Sequence, residues 1–207
     1  MFGIFIIPVI LRFFDDLLIH YSPTARWFKL HLVSNAMICL LSYKEMNEVF
    51  DDPMRGSELS TNIYSVWIGY WLHVYHMVYF KTTRIDKLHH FFSVFVCLPI
   101  AYMLQIKLLS FHYFIACGFP GLLDYFLLIL VKHKKISYLT EKEWNSDINA
   151  FVRMPFGVIA SYITYLTVDY SPYLWYMCIA SFLNFTIFGK IAIENYITHK
   201  TVKELAE

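Results

Sequence analysis

Polar residues divide the chain at intervals, and between them lie apolar runs near 27–43, 61–80, 88–104, 109–131, 149–168 and 173–193. Each approaches the about 20 residues that an α-helix needs to cross the hydrocarbon core of a bilayer. The pattern predicts an all-α fold, a multispanning transmembrane helix bundle. The opening stretch, residues 1–25, is apolar as far as Arg12 and then meets Asp15 and Asp16 within one turn. It either spans, making seven helices in all, or lies at the interface. It has neither the basic start and small-residue cleavage site of a secretory signal nor the Arg- and Ser-rich character of a transit peptide. Residues 196–207 read as a short cytoplasmic tail.

Composition supports the membrane reading. Hydrophobic residues make up 58% of the 207 and charged residues only 16%, with a mean hydropathy of +0.49, outside the usual range of soluble domains. The net charge is +1 and the basic residues are scattered over short loops, which argues against a nucleic-acid partner. Cys39, Cys97, Cys117 and Cys178 all sit in apolar runs without CxxC spacing and read as structural thiols. Charge asymmetry sets the orientation. The 44–60 loop is acidic, whereas Lys81, Arg84 and Lys87, the lysines of 132–148, and Lys200 and Lys203 mark the other side as cytoplasmic.

Ionisable residues within the apolar runs are costly, about 2.5–3.5 kcal/mol each at mid-depth, so their positions carry information. They share the cytoplasmic side. His73 and His76 end the second run, and His89 and His90 begin the third. Asp124 lies seven residues inside its run, roughly 10 Å deep at 1.5 Å per residue. Asn149 and Arg153 open the fifth run. A polar pocket in the cytoplasmic third of a bundle accounts for all of them.

Asp86 stands three residues before His89 and four before His90, so on a helix its carboxylate could reach one ring and raise its basicity, as a general base requires. His73 and His76 face the same way, and with His89 and His90 their spacing could hold one metal. His20, His31, His112, His133 and His199 are too scattered to complete a di-iron site, and no metal is assigned. The plainer reading places these histidines, and the snorkelling Arg153 and Lys190, in the interfacial zone with no chemical role. Asp124 needs a partner at its depth, and Arg153 is the natural candidate.

The segments "RWFKLHLVSNAMICLL", "GYW" at 69–71, "DKLHHFFSVF" at 86–95 and "NAFVRMPFG" at 149–157 give the chain a resemblance, over residues 26–195, to the TLC family shared by TRAM proteins, ceramide synthases and CLN-type lipid proteins. Only the Asp-x-x-His-His element is specific. The resemblance implies six family helices around a lipid-receiving cavity, usually in the endoplasmic reticulum, another internal membrane such as the mitochondrial inner membrane being the alternative. It also implies acyl transfer from acyl-CoA to a long-chain amine, with His89 and His90 as catalytic residues, and the spacing adds Asp86 to them as the group that orients one ring. His73, His76, Asp124, Asn149 and Arg153 would then hold the lipid.

The chain departs from the ceramide-synthase pattern in its acidic motif. "GFPGLLDYFLLIL" retains Asp124, but Gly121 and Leu128 stand where further acids would be, and Val74 stands near the place of another. Three functions remain open: an acyl-CoA-dependent N-acyltransferase, a non-catalytic lipid binder, and an accessory subunit of a larger membrane complex. Membrane lipids are the expected partners, with acyl-CoA as co-substrate in the first case and no cofactor in any. Self-association or a larger assembly is compatible with all three.

Overall fold

A computed structural model describes residues 2–54, 62–103, 108–167 and 172–206. Its described residues are helices and connecting turns, without strands. In order they are α1 (Phe2–Tyr21), α2 (Arg26–Asp51), α3 (Ile63–Tyr79), α4 (Arg84–His90), α5 (Leu98–Met103), α6 (Leu109–Tyr113), α7 (Phe119–Lys132), α8 (Tyr138–Ile148), α9 (Met154–Thr167) and α10 (Pro172–Glu204). Three stretches widen to π-helix: Phe91–Cys97 between α4 and α5, Phe114–Gly118 between α6 and α7, and Asn149–Arg153 between α8 and α9.

Every apolar run forms helix, but the helices extend beyond the runs. The acidic 44–60 loop is helical as far as Asp51, and the basic 132–148 loop contains α8, whose Ser137 side chain caps the amide of Thr140. The tail continues α10. Residues 55–61, 104–107 and 168–171, where several expected run ends fall, lie outside the described residues.

Among the described residues, one helical run, Leu109–Lys132, is both long and apolar enough to cross a membrane. The expected six or seven spans are not established by this criterion. The reason is local: α3 stops at 17 residues, while α2 carries Lys29, His31, Asn35, Lys44 and Glu45.

α2 is the central post, packed against α3, α6 and α7, and α10 runs along α8 and α9. One core cluster joins Val49, Phe111, Ile115, Ala160 and Phe185, and a second joins Ile7, Leu11, Leu30, Leu72 and Tyr75 between the first three helices. The aspartates that interrupt the first apolar run are absorbed by pairing. Asp15, 1% exposed, accepts from the Tyr75 hydroxyl at 2.7 Å and lies 3.0 Å from the Arg26 guanidinium. Asp16 pairs with Arg12 one turn back at 2.7 Å. This docks α1 on α2 and α3 whether or not it spans.

At the opposite end from the histidines, Glu45 is buried against the start of α6. It accepts from the Phe111 amide at 3.0 Å and from the Ser110 hydroxyl, and Ser110 Oγ accepts from the Asn62 amide at 3.1 Å. Burial raises the Glu45 carboxyl above its ordinary 4.5, against the lowering effect of these donors. Loop acidity in the sequence gave no sign that this carboxylate turns inward to cap a helix.

Candidate functional site

The helices bring four of the sequence-predicted histidines into one cluster. The His90 ring lies 4.8 Å from that of His76 and 5.0 Å from that of His73, and His73 lies 5.5 Å from His89. α3 and α4 are joined by only four residues, so the end of one and the start of the other meet at the same level.

Backbone acceptors decide the ring tautomers. The His90 Nδ1–H donates to the carbonyl of Asp86, which leaves Nε2 to accept from His76 Nδ1–H at 3.1 Å. The His73 Nδ1–H donates to the Gly69 carbonyl at 2.6 Å. Both nitrogens of His90 are therefore engaged, and the ring is buried.

Asp86 does not orient a histidine through its carboxylate. Its Oδ2 accepts from the Thr83 amide and hydroxyl, both at 2.8 Å, while Thr83 Oγ1 accepts from the Asp86 amide. This is a capping box at the start of α4. Burial pushes the Asp86 carboxyl up, but the Thr83 donors outweigh it and hold the group below the usual carboxylate range. What fixes His90 is the backbone carbonyl of the same residue.

Asp124 and Arg153 likewise take other partners. Asp124 Oδ1 accepts from Asn145 on α8 at 2.8 Å, and Asn149 donates to Asn145 Oδ1 at 2.6 Å. Arg153 donates to Asn149 Oδ1 at 3.4 Å and to the Ala116 carbonyl at 2.6 Å. The two charges are thus linked through two asparagines. α8, which hydropathy alone does not reveal, supplies the connecting residue.

His31 was set aside on the sequence as too scattered, yet its ring stands 6.0 Å from His76 and 4.1 Å from Tyr125. It stands one turn after Trp27 on the same face of α2, the two rings 3.6 Å apart, and Trp27 itself packs at 3.9 Å on His76. Among the described residues, no group of three or more His, Cys, Asp or Glu is arranged to hold a metal ion.

Beside the cluster lies a cavity of about 530 Å³, bounded by α3, the α4–α5 helix, the α6–α7 helix and α10. His73 and His89 line it, with Cys97, His112, Cys117 and Asn184 among largely apolar neighbours. His76, His90, Asp86, Asp124, Asn149 and Arg153 are not in its lining. The predicted site therefore divides into two residues that line the cavity and six that do not. The wall extends along α10 from Ala180 to Ile191, roughly 16 Å at 1.5 Å per residue. No family model, curated protein or solved structure matches the chain.

Proposed function

We propose that the chain is an integral membrane lipid-handling protein of the TLC type, with its polar pocket facing the cytoplasm. It takes a single-chain acyl lipid into the cavity and transfers the acyl group from acyl-CoA to a long-chain amine. The observation that carries this reading is the largely apolar cavity whose wall includes His73 and His89. Such a cavity has the size and lining of a small-molecule site, and imidazoles in its wall give it a place for a reacting head.

Between the two catalytic candidates, the geometry favours His89. His90 has both nitrogens in hydrogen bonds within the protein, whereas His89 borders the cavity. In this reading His89 takes the proton from the attacking amine, and His90, His76 and Asp86 hold the wall in place. The endoplasmic reticulum as the site of action rests on the TLC resemblance, and the cytoplasmic pocket on the distribution of lysine and arginine.

Purified protein in detergent, given labelled long-chain acyl-CoA and a panel of long-chain amines, tests the proposal. Transfer should fall by about 100-fold or more in His89→Ala, with native mass spectrometry still showing bound lipid. Transfer that persists in His89→Ala and vanishes only in His90→Ala would reverse the assignment. A protein that retains no lipid and transfers no acyl group would sink the reading.

A further inference from the structure

A third histidine lines the cavity, and the proposed transfer makes no use of it. His112, on α6, is 8% exposed. Thr164 on α9 fixes its ring. The Thr164 hydroxyl donates to the Ala160 carbonyl one turn back at 2.8 Å, which commits its only proton. It therefore accepts from the His112 Nε2–H, at 2.7 Å. With the proton on Nε2, the Nδ1 of the neutral ring is an acceptor. That atom is buried and has no hydrogen-bond partner among the described residues.

Other histidines of the chain do not leave Nδ1 open. His31, His73 and His90 each engage it with the carbonyl four residues back, and so does His199. Buried polar atoms are ordinarily paired, so an unpaired one calls for an explanation. Its surroundings supply one. The Nε2 corner of His112 points to α9, which contributes no residue to the cavity wall, so the part of the ring that borders the cavity is the remainder, which carries Nδ1. Asn184 on α10 also lines the cavity, and its amide likewise takes no partner among the described residues. The largely apolar wall thus holds two polar side chains whose hydrogen-bonding capacity the protein leaves unfilled.

We propose that His112 selects a hydroxylated chain: a hydroxyl on the acyl lipid in the cavity donates to its Nδ1. This rests on the lipid-pocket reading above and names the kind of chain that the pocket takes. A plain hydrocarbon chain would cover Nδ1 with methylenes and leave a buried acceptor unpaired, which is how a site of this kind rejects an analogue that lacks the hydroxyl. An ether oxygen has no proton to donate and fails in the same way. His112 is a specificity residue in this scheme and moves no proton at the reacting head.

The test is competition binding to the full chain in detergent, read by native mass spectrometry. The probes are octadecanoate, octadecanoates with one hydroxyl near the carboxyl, at mid-chain or toward the tail, and the methyl ethers of these. At least one hydroxy acid should displace octadecanoate with a preference of about 10-fold or more, and its methyl ether should not. His112→Gln, whose amide can still donate to Thr164, and His112→Phe should bind the hydroxy acid and octadecanoate alike. The preference is a ratio within one preparation, so a variant that is partly unfolded loses both ligands together and keeps its ratio. Equal binding in the unmodified chain, or a preference that survives in both variants, would overturn the inference while leaving the pocket standing. A preference found only among hydroxylated long-chain amines, run in parallel, would move the hydroxyl off the acyl chain and overturn it as well. No fatty acid bound in any form would remove the pocket reading and this inference with it.

Discussion

A carboxylate spaced three and four residues before two histidines can reach a ring or can cap its own helix, and the spacing alone does not choose. In "TRIDKLHH" the choice is made by Thr83, whose hydroxyl and amide hold Asp86 at the start of α4. That signal was present in the sequence, since a threonine three residues before an acid is a helix-start pattern. Hydropathy masks it, because the apolar run begins at 88 whereas the helix begins at Arg84. Glu45 shows the same limit from the other direction. Its burial raises its carboxyl above the ordinary 4.5, so the native state holds its proton more tightly than the unfolded chain. Stability from this residue is full below about pH 4.5 and is lost as pH rises through the raised value. Glu45→Gln, which keeps an acceptor for the Phe111 amide, should flatten that decline. Thermal unfolding in detergent from pH 4 to 7 measures it, and an unchanged slope in the variant would show that other groups cause it.

Elements were legible in the sequence where apolar runs are continuous, and illegible where helices change character. α8 is polar and short, so hydropathy presents it as a loop, yet it supplies Asn145, which joins Asp124 to Asn149 and Arg153. The π-helical stretches have no compositional mark, because they follow from how neighbouring helices pack. Glycine gives one readable clue to that packing. Gly121, which stands where the resemblance would place an acid, lies against Asn35, whose Nδ2 would be 2.7 Å from an added Cβ. A larger side chain there would part α7 from α2. α9 and α10 make a closer approach, in which Gly157 faces the Phe185 ring and a Cβ would overlap it. Because Phe185 is fully buried and also borders the cavity, it has little room to move. Gly157→Ala should cost about 1–3 kcal/mol by overpacking and reduce lipid retention at the same time. Unfolding curves and native mass spectrometry on the same preparation test both effects. A stable variant with a normal lipid load would mean that the two helices can separate without consequence.

At the scale of the whole molecule, several polar side chains are buried beside the apolar core while many large apolar ones are exposed. Asn35, Ser42, Ser161 and Thr164 are buried, while Leu40, Phe91, Phe95, Ile159, Tyr162 and Ile187 are exposed. A soluble domain would not leave so many large apolar side chains uncovered, and a bilayer would cover them. Whether one run crosses or seven do is decided by the side on which each connection lies. Between Asp51 and Lys81 the chain has α3, between Lys81 and Lys135 it has the α4–α5 and α6–α7 helices, and between Lys135 and Thr201 it has α9 and α10. If all of these cross, Lys81, Lys135 and Thr201 share the cytoplasmic side and Asp51 is opposite. If Leu109–Lys132 alone crosses, Lys81 joins Asp51 and faces away from Lys135. Single cysteines introduced at Asp51, Lys81, Lys135 and Thr201, in a chain whose own cysteines are replaced, separate the two cases in sealed vesicles treated with a membrane-impermeant maleimide. We expect Lys81→Cys, Lys135→Cys and Thr201→Cys to label together and Asp51→Cys only after permeabilisation. Labelling of Lys81→Cys with Asp51→Cys would leave α1 to α5 on one side of the membrane. His73 and His89 would then lie outside the hydrocarbon, and the cavity could not receive a lipid laterally from the bilayer.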